Sequence, residues 1–406
     1  MRIIFIALFL DFFGIGLTIP TLTPLVKDPG SGLFRDPGTE MFRDTIYLLI
    51  SSCFFIGSFF GAPVIGMLAD KMGRRPLILF TSFFTMLSTA VVLFGILWKI
   101  PAFLFVGRLI AGLLSGMLIV LQSSIADISE DNMKAKRFGM IGIAFGLGFS
   151  VGPILGSLLS DPAYHPVFGY YLPYLIATLL NAINFVFIYI SYPETIKVFN
   201  SKRVNYLKGL HNIKQAAAQE STRMLFLIIL VLATGFSLFI QYFQAYLINR
   251  FHFSKLEQGI SLLYMGVWIA ISQGFILKQL LKKLEPIRIL LISIPLMALG
   301  FFLLNFAVDY IQFFCFAPLL ALAQGLTFPS ILAILSNSAA KEKQGEILGI
   351  NQSVQALSSS MPLVLGVMAA SYEWFTLLFG GACAILGSLI FFFQYKTFKH
   401  DLSGTD

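Results

Sequence analysis

The sequence predicts an all-α membrane protein with twelve transmembrane helices, arranged as two pseudo-symmetric bundles of six. Three observations support this fold class: the composition, a series of long apolar runs, and an internal echo between the two halves of the chain. Of the 406 residues, 57% are hydrophobic and 12% are charged, whereas a soluble domain carries about 25% charged residues. The composition therefore excludes a soluble enzyme, and it excludes a disordered chain, which would contain few apolar residues.

Twelve segments are long and apolar enough to cross a bilayer as helices, which takes about 20 residues each. In order, these spans cover roughly residues 3–26, 45–69, 77–98, 101–126, 138–160, 168–192, 223–248, 258–281, 287–307, 310–335, 346–370 and 374–396. Glycine and proline interrupt many of them, and membrane helices tolerate such breaks where neighbouring helices satisfy the freed backbone groups. Because so little chain is left between the spans, no soluble catalytic domain is expected.

The distribution of lysine and arginine predicts the topology. If the N-terminus is placed inside, most of the 28 basic residues fall in the inner segments, as the positive-inside rule requires. We therefore expect a multi-pass protein of the plasma (inner) membrane with both termini in the cytoplasm. The net charge of +8 is then explained by topology, so no nucleic-acid partner is expected.

The longest inner connection, residues 193–222, divides the chain into an N-terminal bundle (1–192) and a C-terminal bundle (223–406). This cytoplasmic linker is polar and basic, with a short amphipathic helix predicted over 206–218. The halves echo each other, because Gly66 after span 2 and Gly274 after span 8 are both followed by paired cations at the same spacing. Duplicated six-helix halves are typical of secondary transporters that bind substrate between the halves near mid-membrane.

The loop after span 2 reads Gly66-x-x-x-Asp70-Lys71-x-Gly73-Arg74-Arg75. This loop resembles the signature loop of the major facilitator superfamily, and the resemblance covers essentially the whole chain. In span 4, Arg108 followed by Gly112 and Gly116 is similar to the helix-4 motif of that superfamily. The resemblance implies the same twelve-helix fold and a transport function.

Two further patterns resemble the branch of tetracycline-efflux-like drug:proton antiporters. One is the helix-1 pattern Asp11-x-x-Gly14-x-Gly16-x-x-x-Pro20, although Thr21-Leu-Thr23 intervenes here before Pro24. The other is the helix-5 motif, which we expect to form a closely packed hinge surface and which comprises Gly142, Gly146, Gly148, Gly152, Pro153 and Gly156. Small residues of this kind let membrane helices approach closely.

By the same resemblance, the loop after span 2 gates transport by latching the halves in an outward-facing state. A glycine at position 73 allows a tight turn, and Asp127 is a plausible partner for Arg74 or Arg75. Asp70 can pair with local cations or lie near the positive N-terminus of a helix, which in this family is span 11, beginning near Gly345. The gating set is Gly66, Asp70, Lys71, Gly73, Arg74, Arg75 and Asp127. The alternative is a topology anchor with no gating function.

Asp11 is the only acid well inside a predicted span, and Arg108 is the only deep basic residue. Because a charge at mid-membrane costs about 2.5–3.5 kcal/mol on insertion scales, such residues are rare and usually functional. At about 1.5 Å per residue, their depths in spans 1 and 4 leave a gap that a long arginine can largely bridge. We therefore expect an Asp11–Arg108 pair that a proton or a cationic substrate would weaken. A purely structural ion pair is the alternative.

The second half has no deep charge and offers amides instead. These candidates for the substrate cavity are Gln241, Gln244, Gln273, Gln324, Asn351, Gln352 and Gln355, with Gln122 of span 4 added. They could bind a neutral or zwitterionic solute by hydrogen bonds, or they could hold helices together. Asn181 and Asn184 of span 6 rank lower, because that span usually faces lipid or packing in the family.

These features predict a secondary active transporter that moves a small organic solute by alternating access, with proton-coupled efflux preferred. An uptake permease or facilitator for a metabolite is the alternative, and a non-transporting scaffold or receptor is the alternative of another class. Enzymatic activity is not expected, because the sequence has neither a catalytic cluster nor a phosphate-binding Gly-x-x-x-x-Gly-Lys loop. The expected partners are the solute, protons and the bilayer; the protein is expected to be a monomer without metal or cofactor.

Overall fold

A computed structural model describes residues 1–34, 39–128, 131–195, 207–338, 344–362, 365 and 373–403. Within these ranges every regular element is helical. The first half contains α1 (Arg2–Lys27), α2 (Glu40–Met72), α3 (Arg74–Leu97), α4 (Pro101–Leu113), α5 (Met117–Ile128), α6 (Asp131–Leu159) and α7 (Tyr171–Ser191). Predicted span 4 is thus divided between α4 and α5, while spans 5 and 6 correspond to α6 and α7.

The second half begins with a short linker helix and continues with the remaining spans. Its helices are α8 (Lys208–Ala218), α9 (Glu220–Phe251), α10 (Lys255–Ile271), α11 (Leu277–Leu280), α12 (Pro286–Phe306), α13 (Tyr310–Asn337), α14 (Gln344–Ser360) and α15 (Glu373–Ser403). A π-helical turn, Ser272–Ile276, joins α10 to α11, so that these three segments together form predicted span 8.

Ten helical segments in the described residues are long and apolar enough to cross a membrane. They account for ten of the twelve predicted spans. The other two predicted spans lie on α6, which carries a shorter apolar segment from Ala144 to Leu159, and on α14, which ends at Ser360 next to residues that are not described. The chain is therefore a multi-pass α-helical membrane protein.

The chain forms two compact units. One comprises Met1–Lys208 with Phe253–Leu263, and the other comprises Gly209–His252 with Tyr264–Asp406. The linker helix α8 belongs to the second unit because the buried Asn212 donates hydrogen bonds to Gly349 O (3.2 Å) and Ser353 Oγ (2.8 Å) of α14.

In the first unit, α1 packs mainly against α6 and α7, while α4 packs against α2 and α3. Two apolar clusters form the core. One surrounds Phe12 and Ile65 at the amino-terminal half of α1, and the other surrounds Leu25, Tyr47 and Leu104 at its carboxyl-terminal end.

In the second unit, α12 packs on α13 and α15, and α9 packs on α15 and α14. Fully buried phenylalanines join these helices, with Phe239 of α9 in edge-to-face contact with Phe301 of α12 at a centroid distance of 5.5 Å. The face of α9 that carries glutamines turns to α14 and positions the polar residues of this unit.

Candidate functional site

The charged turn between α2 and α3 requires a glycine. Gly73 has φ +105°, a conformation that L-amino acids with a side chain rarely adopt. A Cβ at this position would also lie 2.5 Å from Glu194 Oε2. The Gly73 amide donates to Ala69 O at 3.1 Å and ends α2, so that α3 begins at once with two arginines.

Arg74 lies between two carboxylates. It is 6% exposed, its Nε donates to Asp127 Oδ2 at 3.0 Å, and its Nη1 pairs with Asp70 one turn earlier. Asp127 thus pairs with Arg74, one of the two arginines that the sequence analysis gave as its partner. Arg75 instead donates to Tyr189 O at 3.0 Å, and Lys71 is exposed.

Glu194 completes this network and was missed by sequence reasoning. Its Oε1 accepts from the backbone amide of Arg74 at 2.9 Å, and its Oε2 accepts from that of Arg75 at 3.1 Å. The carboxylate therefore caps the start of α3, where amides lack helical partners and the helix dipole favours negative charge. An acid just after span 6 was the only available signal, and sequence alone does not pair it with a helix 120 residues away.

The glycines of α6 bring it into direct backbone contact with α1. A Cβ on Gly148 would lie 2.8 Å from Phe12 Cβ, one on Gly152 would lie 2.8 Å from Gly16 Cα, and one on Gly156 would overlap the carbonyl of Leu17. Pro153 also contacts this interface, since its Cδ would lie 3.2 Å from a Cβ on Gly16.

Not every glycine of the motif takes part in this interface. A Cβ on Gly146 would meet no heavy atom within 4 Å, and the surroundings of Gly142 fall outside the described residues. Among the described glycines of the motif, the tight contacts therefore run from Gly148 to Gly156.

Asp11 occupies the middle of α1 and is half-buried. Within the described residues, its carboxyl group forms no ion pair and accepts no hydrogen bond. Ala7 and Gly14 share its helix face because residues four and three positions apart lie above one another. This face contacts α7: the Asn184 side chain donates to Ala7 O at 3.1 Å, and Asn181 Oδ1 lies 3.6 Å from the position of a Gly14 Cβ.

The predicted Asp11–Arg108 pair is wrong, because in the described residues the two side chains form no ion pair. The Arg108 guanidinium lies 5.1 Å from the centroid of the Phe54 ring. The ionisable groups close enough to interact electrostatically with Arg108 are those of Tyr174, Tyr47 and Cys53. These side chains are neutral at physiological pH. Arg108 Nε has no hydrogen-bond partner in this part of the structure.

Depth along α7 explains the separation. Arg108 lies at the level of Tyr174, near the start of α7, whereas Asp11 lies at the level between Asn181 and Asn184. About eight residues of helix, or roughly 12 Å, lie between these levels. Neither side chain can cover that distance, whereas the prediction had left a gap between the two depths that a long arginine could largely bridge.

The polar residues of the second unit form a stripe between α9 and α14. Gln241 Nε2 donates to Ser359 O at 2.9 Å, and Ser237 Oγ lies 3.1 Å from Ser359 Oγ. Within α14, Gln355 Nε2 donates to Asn351 Oδ1 at 3.3 Å. Part of this predicted set is therefore engaged in contacts between and within helices.

Gln244 differs from its neighbours in this stripe. Its side chain is 4% exposed, and neither Oε1 nor Nε2 has a hydrogen-bond partner within the described residues. Gln324 of α13 also leaves its Oε1 without a partner there. Of the other predicted candidates, Gln273 is exposed, whereas Gln122 and Gln352 are half-buried.

Charged contacts also occur at the end of the first unit opposite to the Gly73 turn. Lys27 and the buried Asp44 form an ion pair of 2.7 Å. At the start of α10, Lys255 lies 3.8 Å from Asp161 Oδ1, and its ammonium lies 4.4 Å from the centroid of the Tyr170 ring. These pairs were not predicted from the sequence.

Apolar membrane-spanning helices, a charged turn at one end and isolated polar groups buried within the helices are features that a membrane transporter needs. The family model described as Major Facilitator Superfamily matches residues 4–361. The chain therefore belongs to the major facilitator superfamily, and it is a secondary transporter of small solutes.

Curated relatives agree with this family. The chain is 30% identical to the tetracycline resistance protein, class G, of Vibrio anguillarum, over 86% of this chain and 85% of that one. It is 23% identical to the quinolone resistance protein NorA of Staphylococcus aureus, over 90% of this chain and 89% of that one.

Solved structures share the fold. The crystal structure described as the human organic anion transporter MFSD10 matches with a TM-score of 0.73 at 23% identity and covers 98% of both chains. A D-xylose–proton symporter matches with a TM-score of 0.75 at 15% identity and covers 96% of both chains. At these identities the likeness concerns the fold.

Proposed function

We propose that this protein is a proton-coupled exporter of small organic molecules and that Asp11 carries the coupled proton. The observation that supports this most strongly is Asp11 itself, a half-buried acid inside a membrane helix with no cationic partner in the described residues. A carboxylate without a counter-charge in such a place is costly, and protonation removes the cost. Relatives named as tetracycline and quinolone resistance proteins favour efflux of organic compounds.

Alternating access then follows from what Asp11 can bind. Protonation makes Asp11 neutral, and release of the proton restores a charge that must be hydrated or paired. A ligand or proton shifts a two-state equilibrium only through its different affinity for the two states. Proton binding at Asp11 therefore drives the cycle if the acid is more accessible or better paired in one state.

The network around Arg74 serves as the latch of this cycle. Arg74 pairs with Asp70 and Asp127, and Glu194 holds the start of α3. Such a multiply bonded turn has a defined closed arrangement, as a bistable gate requires. The additional contact of Asp70 with the start of span 11 stays a prediction, since the side chains at that start, up to residue 346, are outside the described part of the structure.

The solute contacts belong to the polar stripe of the second unit, with Gln244 as the principal one. A buried amide with both heteroatoms unpartnered offers a donor and an acceptor to a ligand. Neutral or zwitterionic groups match this chemistry better than a strongly cationic group. The protein acts as a monomer in the inner membrane, with both termini in the cytoplasm.

The test uses purified protein in liposomes with an imposed pH gradient and tetracycline and a quinolone as probes. We expect gradient-driven solute flux in the wild type and none in Asp11→Asn, which should still exchange labelled for unlabelled solute because Asn mimics the protonated acid. Asp309→Asn is the matched control, because Asp309 caps α13 by accepting from Gln312 N at 2.8 Å and Asn caps equally well. Undiminished gradient-driven flux in Asp11→Asn would refute the proposal.

A further inference from the structure

Two asparagines of α7 flank Asp11 from the neighbouring helix. Asn184 is 1% exposed and contacts the carbonyl of Ala7, one turn before Asp11. Asn181 is 5% exposed and lies beside Gly14, one turn after Asp11. The two amides share a face of α7, being three residues apart, and they contact α1 about one turn before and one turn after Asp11.

The two asparagines differ in how far their hydrogen bonds are satisfied. Asn181 Nδ2 donates to Thr89 Oγ1 of α3 at 3.4 Å. Asn184 Nδ2 donates to Ala7 O, but Asn184 Oδ1 is buried and has no partner in the described residues. A buried acceptor without a donor is destabilising, and an orphan of this kind calls for an explanation.

The missing partner must be a donor, because an amide oxygen can only accept. The Ala7 carbonyl that binds Asn184 Nδ2 is also the helical acceptor for the Asp11 backbone amide, four residues on. The Asn184 side chain thus lies about one helical turn from Asp11. An ionised carboxylate has no proton to give, whereas a protonated carboxyl group is an O–H donor.

We propose that Asn184 holds Asp11 in its protonated state, with Oδ1 accepting a hydrogen bond from the carboxyl group. Asn184 is thus a positioning residue that sets the pH at which the carrier is loaded with a proton, an inference that rests on the proton coupling proposed for Asp11. Asn181 packs against α1 on the other side of Asp11, beside Gly14.

Other titratable groups do not compete for this position. Residues 138–160 of α6 contain no ionisable side chain. Tyr174 of α7 and Tyr47 and Cys53 of α2 act on Arg108 instead. In α5, the sole ionisable side chain is Asp127, which is bonded to Arg74. On α7, Tyr189 lies more than a turn beyond Asn184 and is 61% exposed.

The experiment measures the pH dependence of solute flux in liposomes for two opposite substitutions. Asn184→Leu removes the acceptor at similar size, so the midpoint of the profile should move to lower pH by about 0.5 to 1 unit, the equivalent of one neutral hydrogen bond. Asn184→Asp places a second carboxyl group beside Asp11, and like charges favour sharing a proton. The midpoint should then move to higher pH.

Thr178→Val is the matched control, because Thr178 lies on the same helix and donates only to its own helix, to Tyr174 O at 2.7 Å. This variant should keep the wild-type midpoint. A merely structural function of Asn184 would lower the rate at every pH and leave the midpoint in place, and that result would overturn the proposal.

A spectroscopic readout keeps the test independent of transport. The infrared C=O band of the protonated carboxyl group is assigned as the band absent from Asp11→Asn, and its pH titration should shift in the Asn184 variants as the flux does. An unshifted titration in Asn184→Leu overturns the proposal even if that variant transports poorly. If Asp11→Asn retains gradient-driven flux, the proton coupling proposed at Asp11 is refuted. If only the expected pH shifts of the Asn184 variants are missing, the coupling at Asp11 stands and the proposed hydrogen bond between Asp11 and Asn184 is refuted.

Discussion

Substitution of Gly152 by alanine tests the close contact of α1 and α6. The added Cβ would lie 2.8 Å from Gly16 Cα, 2.9 Å from Gly16 C and 3.1 Å from Leu17 N. All three atoms belong to backbone, so no flexible side chain can move aside. The two helices must separate by several tenths of an ångström along this part of their contact.

The size of the effect follows from overpacking. One extra methyl group in a well-packed interface costs about 1–3 kcal/mol, and loss of the neighbouring contacts at Gly148 and Gly156 would add to it. Gly146→Ala is the matched control, because it adds the same methyl group to the same helix, where no atom lies within 4 Å. Alanine favours a helix by up to about 1 kcal/mol relative to glycine, so the control should not lose stability.

Thermal unfolding in detergent, followed with a thiol-reactive dye, provides the assay. Cys383 is buried and Cys53 is half-buried, so unfolding exposes new thiols. We expect the apparent melting temperature to fall by a few degrees in Gly152→Ala and to stay at or above the wild-type value in Gly146→Ala. Equal melting temperatures for the two variants would refute the close contact.

Substitutions at three further positions test other parts of the structure. Glu194→Ala removes the cap of α3 and should lower stability by about 1–2 kcal/mol, whereas Glu194→Gln, which keeps one acceptor oxygen, should lower it less; chemical unfolding of both variants checks the order. Lys255→Met removes the contacts with Asp161 and the Tyr170 ring and should lower the free energy of unfolding by about 1 kcal/mol. Its melting temperature is compared with that of Lys282→Met, at an exposed site. Gln244→Leu removes a buried unpartnered amide and should raise the melting temperature while abolishing the thermal stabilisation by solute.

The helices could be predicted from the sequence because their signal is local. Runs of apolar residues marked the spans, and the motif around Gly73 marked a turn that the structure places between α2 and α3. The partnership of Arg74 with Asp127 was also within reach, because both residues lie at the inner ends of predicted neighbouring spans. The start of α2 could not be predicted, since the helix begins at Glu40 and includes the buried Asp44.

Tertiary placement of polar side chains could not be predicted in the same way. The pair of Asp11 and Arg108 failed because hydropathy locates a helix end only within several residues and does not give the direction of a side chain. Glu194 and Asn184 were missed or ranked low because their partners are 120 and 177 residues away along the chain. Both contacts depend on how α7 packs against α1 and α3, which no local pattern records.

Buried polar atoms without partners occur at both of the positions for which we propose a ligand. Asn184 Oδ1 in the first unit and both heteroatoms of Gln244 in the second are buried without partners in the described residues, and each such atom costs about 1–3 kcal/mol. Leucine would remove that cost at either position with little change in volume. At position 184 it would also remove the hydrogen bond from Nδ2 to Ala7 O, so stability favours leucine most clearly at position 244. A lowered pH midpoint in Asn184→Leu and a loss of solute binding in Gln244→Leu would show that the amides are retained for a ligand: a proton on Asp11 at one position and the solute at the other.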